Sequence, residues 1–374
     1  MNVDRRELLQ IAGGLACAGT FTASLTAILA GDWSSGLNAQ ESDSTGKRHA
    51  PIRVGQIGVG HAHANKLAVY RASPDYEVVG VVEPDPLLRA QAQAQAAFRD
   101  CNWMSEQQLL ESADLQVVLV ETQIHDLLGT AVRCVEAGKH IHLDKPAGAS
   151  LAEFSTLLKQ AERQSLLVQM GYMYRYNPAI ILLRQLLAEG ALGDVFELHA
   201  VMSKVVDAEG RDKHAEFSGG MMFELGCHLI DLVVGLIGTP GKITPYVQHA
   251  SAIDDKLNDN MLAVFEYPRA LATVKTSAME VDGFARRHLV ICGSKGTMHI
   301  QPLDAPAARL TLSEPHGEYS KGTHDLTFPN FPRYVADAAD MARILRGEKT
   351  SDFSYAHDLA VQTAVLQAAQ MPTT

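Results

Sequence analysis

Short apolar runs, each closing on a polar or glycine-rich turn, set the rhythm of the first half of the chain. Residues 52–59 (IRVGQIGV) read as a buried strand running into the Gly58-Val59-Gly60 turn. A helical segment over about 62–73 follows, then a second buried strand over 76–82 (YEVVGVV) that closes on Glu83. Residues 114–121 (DLQVVLVE) repeat the pattern and lead into the loop Thr122-Gln123-Ile124-His125. A helix over about 126–136 ends at Gly138, a glycine suited to the left-handed turn that terminates helices. The strand 140–143 (HIHL) then delivers Asp144-Lys145-Pro146-Ala147-Gly148 to the same edge of the sheet. The second half differs. Its strand-like runs at 195–202, 261–267 and 270–277 are joined by hairpin-like turns, which predicts a largely antiparallel sheet. Residues 332–345 and 356–369 read as closing helices.

The pattern predicts an α/β protein: a Rossmann dinucleotide-binding domain over 51–172, then an α+β domain over 173–374 with a large, mostly antiparallel open sheet. A chain of 374 residues, 47% hydrophobic, can bury one large core or two ordinary ones. Its net charge of −11 excludes nucleic acid and anionic membrane surfaces as partners, since both need a basic footprint. Residues 1–39 stand apart. Asp4-Arg5-Arg6-Glu7-Leu8-Leu9-Gln10 resembles a twin-arginine export signal, and a weakly apolar run follows it. Cleavage is expected after Ala39, which would leave a periplasmic protein; an uncleaved membrane anchor is the alternative. Residues 40–50 read as a disordered polar linker. Twin-arginine export carries folded proteins, so Cys101, Cys134, Cys227 and Cys292 need not pair, and a cofactor can be loaded before export.

The segment VGQIGVGHAHA (54–64) poses the central chemical question, because it opens like a nucleotide-binding turn and ends in two histidines. Strand, glycine turn, helix, strand and terminal acid make a βαβ unit. Gly58 permits the tight turn, and Gly60 lets the backbone approach a pyrophosphate lying on the helix N-terminus. Glu83 lies where a ribose-binding carboxylate belongs; a 2′-phosphate there would face like charge, so NAD is favoured over NADP. At the opening of a helix His61 and His63 would point about 200° apart, poor geometry for a shared metal. No metal is therefore expected, and His63 is read as replacing the close-packing glycine. Lys145, at the carboxyl end of the sheet, is placed to act on a ligand.

Ala137-Gly-Lys-His-Ile-His-Leu-Asp-Lys-Pro146 resembles a segment of the glucose–fructose oxidoreductase / inositol dehydrogenase / MocA family. Gly171-Tyr-Met-Tyr-Arg-Tyr-Asn-Pro178, Gly190-Ala-Leu-Gly-Asp194, the run from Ser218 to Asp231 and Gly293-Ser-Lys-Gly-Thr297 are similar to further family segments, in order. The resemblance implies a nicotinamide cofactor, a sugar or cyclitol substrate, and a homodimer or homotetramer built through the second sheet. It makes Lys145, Glu224 and His228 the catalytic trio. It also places the cofactor against Gly58, Gly60, His61, His63, Glu83, Thr122, His125, Asp144, Lys145, Pro146 and Arg175. Three departures stand out: Asp144 replaces the family glutamate, Glu224 replaces the catalytic aspartate, and the Thr122–His125 loop lacks the usual Thr-Pro-Asn.

Oxidising a secondary alcohol needs a hydride acceptor and a base for the hydroxyl proton, and imidazole suits the second task. Helical spacing places Glu224, His228 and Asp231 on one face, with Glu224 able to hold the imidazole tautomer or to bind a substrate hydroxyl itself, and Asp231 read as structural. Lys145 would stabilise developing alkoxide charge. Lys204, Lys213 and His214 read as solvated loop residues, with facing the substrate as the alternative. Two other readings stay open: redox-neutral cleavage of a glycoside by oxidation and elimination, and a non-catalytic sugar binder.

Overall fold

The computed structural model describes residues 49–373. The expected export signal, its cleavage point and nearly all of the linker lie outside them. Strands β1 (Ile52–Ile57), β2 (Tyr76–Val82), β3 (Val117–Val120), β4 (His140–Leu143) and β5 (Val168–Met170) form a parallel sheet in the order β2-β1-β3-β4-β5. Their apolar runs are continuous because helices cover both faces; all four residues of β3 are fully buried. The strand order reverses between β1 and β3, so their carboxyl ends open a crevice. Gly58 leaves β1 there, and Thr122 leaves β3.

The helix expected over 62–73 begins later. Residues 61–63 form turns, Ala64–Lys66 is one 3₁₀ turn, and regular α-helix covers only Leu67–Ala72. Nδ1 of His61 accepts the His63 amide at 3.2 Å, a local bond that competes with helical pairing.

The second sheet has eight strands: β6 (Val195–Val201), β7 (Lys242–Gln248), β8 (Asn260–Glu266), β9 (Leu271–Ser277), β10 (His288–Gly293), β11 (Gly296–Ile300), β12 (Ala307–Leu312) and β13 (Gly322–Thr327). The order is β13-β12-β11-β10-β6-β9-β8-β7, antiparallel except where β6 meets β9. Alternation sets its inner face: Met261, Ala263 and Phe265 are buried while their neighbours are half-exposed. The helix Cys227–Ile237 packs on that face and against the helix Tyr355–Ala368, and its first eight residues are all buried.

The last helices bridge the two halves of the chain. Ala338, Met341 and Ala342, on the helix Val335–Leu345, share a core with Ile52, Val54 and Leu67. Tyr76 donates its hydroxyl to Ala338 O at 2.6 Å, and Arg346 pairs with Asp75 at 2.8 Å. The chain thus returns to pack on the nucleotide half after completing the second sheet. Cys101, Cys134, Cys227 and Cys292 are free thiols. Among the described residues no helix is long and apolar enough to cross a membrane.

Candidate active site

The glycine turn is built for close approach. Gly58 has φ +91°, and a Cβ there would stand 2.4 Å from the Thr122 nitrogen; a Cβ on Gly60 would meet Gln123 Cγ at 2.8 Å. Glu83 is locked beside the turn, its two oxygens accepting the amides of Val59 and Asp85 at 3.0 Å each. The Thr122 hydroxyl is buried at the crevice without a protein partner. A strand-end acid, a glycine cradle and an orphaned hydroxyl fit a dinucleotide lying across this edge.

Beneath the turn lies a sealed cluster. Asp144 is fully buried and receives the Lys145 amide at 2.6 Å, His63 Nδ1 at 3.1 Å and Lys66 Nζ at 2.6 Å. Lys66 also meets Glu121 at 2.9 Å and His142 Nε2 at 2.8 Å. Burial alone would push the Asp144 carboxyl up, but His61, Lys66 and His63 outweigh it and hold it well below the usual range. Glu121 goes the other way: burial and then the Asp144 charge push it well above its usual value. Burial lowers His63 to about 4 and, with Lys66 beside it, His142 to about 3. Both imidazoles are therefore neutral at neutral pH.

This geometry corrects the reading of the two histidines. They do not diverge; both converge on Asp144, with ring centroids 5.1 Å apart, because the segment is a turn and not a helix. His63 does not fill the helix–strand gap but points toward Asp144, 6.0 Å from the His228 ring and 5.7 Å from Tyr334. His61, Asp144 and His63 lie at a spacing a cation could share. The Lys66 ammonium already neutralises the carboxylate, however, so the cluster holds together as an ion-pair network, with Glu121 Oε2 left unpartnered.

Lys145 sits on the other side of the same peptide, facing the second half of the chain. Its Nζ donates to Glu224 O at 2.8 Å and Glu224 Oε1 at 3.1 Å. Glu224 lies on a π-helical turn, Met222–Gly226, that widens the start of the long buried helix; such turns recur at functional sites. Burial opposes charge on both groups, yet each partner overrides it: Lys145 is raised and Glu224 is held below its ordinary value. His228 is lowered well below its ordinary value by burial, then by Lys145 and His63, which keeps it neutral. Its Nδ1 has no protein partner. Tyr172 and Tyr174 pack edge-on to its ring. Glu224 thus serves Lys145 and does not hold the His228 tautomer as expected.

The remaining predicted residues divide. Lys145, Glu224 and His228 come together, with Gly58, Gly60, Glu83 and Thr122 along the adjoining edge. Pro146 follows Lys145 and is buried. His61 is tied to protein: its Nε2 donates to Lys145 O at 3.0 Å, which aims the lysine. Asp144 has no exposed surface, so it orders the site from below instead of touching a nucleotide. Arg175 is corrected as well. Its guanidinium is committed to Asp231 and Asp358 at 2.6 Å, stacked on Phe353 and Tyr172, so it braces the helix bearing His228. His125 stands on the rim, its Nδ1 2.6 Å from Glu216 across the crevice. Lys66, Glu121, His142 and Tyr334 escaped the sequence reading, and His214, read as a solvated loop residue, is instead largely buried on the helix Ala208–Ala215. Acids ending the adjacent strands β3 and β4 were the available signal for Glu121; a lone lysine or a loop tyrosine carries none.

Residues 52–172 match the family described as "Oxidoreductase family, NAD-binding Rossmann fold", and residues 180–299 match the GFO/IDH/MocA C-terminal domain. The chain belongs to the GFO/IDH/MocA oxidoreductase family. It is 27% identical over 222 residues to trans-1,2-dihydrobenzene-1,2-diol dehydrogenase of Macaca fuscata fuscata, covering 58% of this chain and 65% of that enzyme, just under two thirds of its length. It is 26% identical over 165 residues to the scyllo-inositol 2-dehydrogenase (NADP(+)) of Bacillus subtilis, covering 42% and 46%. An oxidoreductase from Agrobacterium radiobacter, solved with NAD+, L-tartaric acid and magnesium, superposes with TM-score 0.72 at 16% identity over 86% of this chain and 97% of that one. That likeness establishes the fold.

Proposed function

We propose that this protein is an exported, NAD-dependent oxidoreductase that moves a hydride between a secondary hydroxyl of a sugar, glycoside or cyclitol and a tightly held nicotinamide. The observation that carries the reading is the meeting of Lys145, from the parallel sheet, with Glu224, from the helix of the second half, at 2.8 and 3.1 Å beside a neutral His228. The cofactor, held along Gly58, Gly60, Glu83 and Thr122, supplies the hydride acceptor. Glu83 supports NAD over NADP, since its carboxylate would repel a 2′-phosphate. His228 takes the hydroxyl proton, and Lys145 stabilises the oxygen as negative charge develops. Tyr172, Tyr174 and the surrounding buried helix exclude water from the imidazole. Export would separate the enzyme from the cytoplasmic nucleotide pool, which favours a resident cofactor. The outer face of the second sheet, with Tyr246 and Leu271 both about half-exposed, supports assembly as a homodimer or homotetramer.

Native mass spectrometry of the protein from its own compartment should show one bound nicotinamide dinucleotide per chain, and a panel of sugars and inositols should change its absorbance. A protein free of nucleotide that shows no affinity for NAD+ overturns the proposal. Release of nitrophenol from a nitrophenyl glycoside without NADH accumulation would replace dehydrogenation by redox-neutral cleavage.

A further inference from the structure

His228 has no means of its own to keep a proton once it has taken one. A charged imidazole carries an N–H on both ring nitrogens. Nδ1 of His228 is buried without a protein partner, the residue is 2% exposed, and Lys145 stands close enough to oppose a second positive charge. An unpaired charge in such a place is costly. The proton therefore needs a way out before the next turnover.

The neighbouring imidazole offers one. The His63 ring lies 6.0 Å from that of His228, centroid to centroid. Nitrogens turned toward each other at that spacing can pass a proton through one water. Asp144 is ionised and can only accept, so its contact at 3.1 Å fixes the proton of neutral His63 on Nδ1. Nε2 is left with a free lone pair, able to take a second proton while the carboxylate balances the charge. His61 cannot do this. Its Nε2 donates to Lys145 O and its Nδ1 accepts the His63 amide, so both nitrogens are spent. The His63 side chain also keeps 14% exposure, whereas that of Asp144 has none.

We propose that His63 is a proton-relay residue acting through His228, the second stage of an outlet from the buried base to solvent. The proposal rests on the dehydrogenase reading above. As the alcohol is oxidised its hydride leaves with both electrons of the C–H bond, and its hydroxyl proton goes to His228. That N–H bond then breaks as one forms on His63 Nε2. The proton passes from there to water, and both rings return to neutral.

The test uses the full chain with NAD+ added. Histidine ¹⁵N NMR at neutral pH, assigned with His63→Gln, should find His63 as the Nδ1–H tautomer; the Nε2–H tautomer overturns the relay. Turnover is read at the NADH absorbance on the panel of sugars and inositols, myo-inositol and D-glucose among them. His63→Ala should lower kcat about 100-fold, the low end for one acid–base group, with KM nearly unchanged. Free imidazole should restore His63→Ala several-fold and leave the parent as it was. His63→Gln still donates to Asp144 but has no proton to pass on, so it should be as slow as His63→Ala and gain nothing from imidazole. Full turnover in His63→Gln, or a loss in His63→Ala that imidazole does not relieve, means that His63 only braces Asp144; the relay falls and the dehydrogenase reading stands. A parent that turns over no member of the panel removes both.

Discussion

Two lysine–carboxylate clusters lie on either side of the Asp144–Lys145 peptide, and they differ in where their unpartnered polar atoms lie. In the inner one, Lys66 meets Asp144, Glu121 and His142, all without solvent exposure, and Glu121 Oε2 is left without a hydrogen-bond partner deep inside the fold. In the outer one, Lys145 holds one oxygen of Glu224 while Glu224 Oε2, His214 Nε2 and His228 Nδ1 stay open. Identical residue types therefore serve two ends. A sealed cluster whose charges are matched internally is a foundation; one shared between the two halves of the chain, beside His228, is placed for chemistry. Proximity in sequence says nothing about which is which.

Four variants test that contrast. Lys66→Met should have the largest effect, because it leaves the buried Asp144 charge unpaired: about 3–5 kcal/mol of stability lost, read from denaturant unfolding. Should Lys66→Met fold as firmly as the parent, the inner cluster is not a foundation. Lys145→Met should instead lower kcat by at least about 100-fold, as loss of a charge stabiliser does, at less than half that stability cost. Equal losses of stability in the two variants would erase the distinction.

The third variant uses pH. His63 is lowered to about 4 when folded, against about 6.5 when unfolded, so the unfolded chain binds its proton first. Its contribution is complete above pH 6.5 and drains away as pH falls toward 4. At pH 5 the penalty is about 2 kcal/mol. His63→Gln should therefore flatten the fall in thermal midpoint between pH 7 and pH 5; an unchanged slope would mean His63 is solvated. Asp337, raised to about 6 by burial, acts in the opposite sense in both proteins and cancels from the comparison. Smallest is Glu224→Asp, which shortens the reach to Lys145 by one methylene. Turnover should fall about tenfold while the thermal midpoint holds, since misplacement of this size is felt mainly by chemistry.

Much was legible beforehand, and the reasons are local. The parallel strands announced themselves as continuous apolar runs because both their faces are covered, and Gly58 because its φ excludes other residues. Three strands of the second sheet, β6, β8 and β9, showed in the same way. Strands β12 and β13 did not, since their exposed positions are threonine and charge, which also suit loops. Arg175 was misplaced because a motif names a residue without naming its partners; Asp231 and Asp358 are 56 and 183 positions away.

Sequence alone determined the order of the parallel strands, the glycine bend, the acid ending β2 and Lys145, Glu224 and His228 as candidates, since each depends on a short run of backbone or on a motif. Only the tertiary structure decided that His61 and His63 converge, that Lys66 neutralises Asp144, and that a polar helix brings His214 to Glu224. Those outcomes depend on the mutual distance and burial of groups far apart along the chain, and electrostatic energy varies with both.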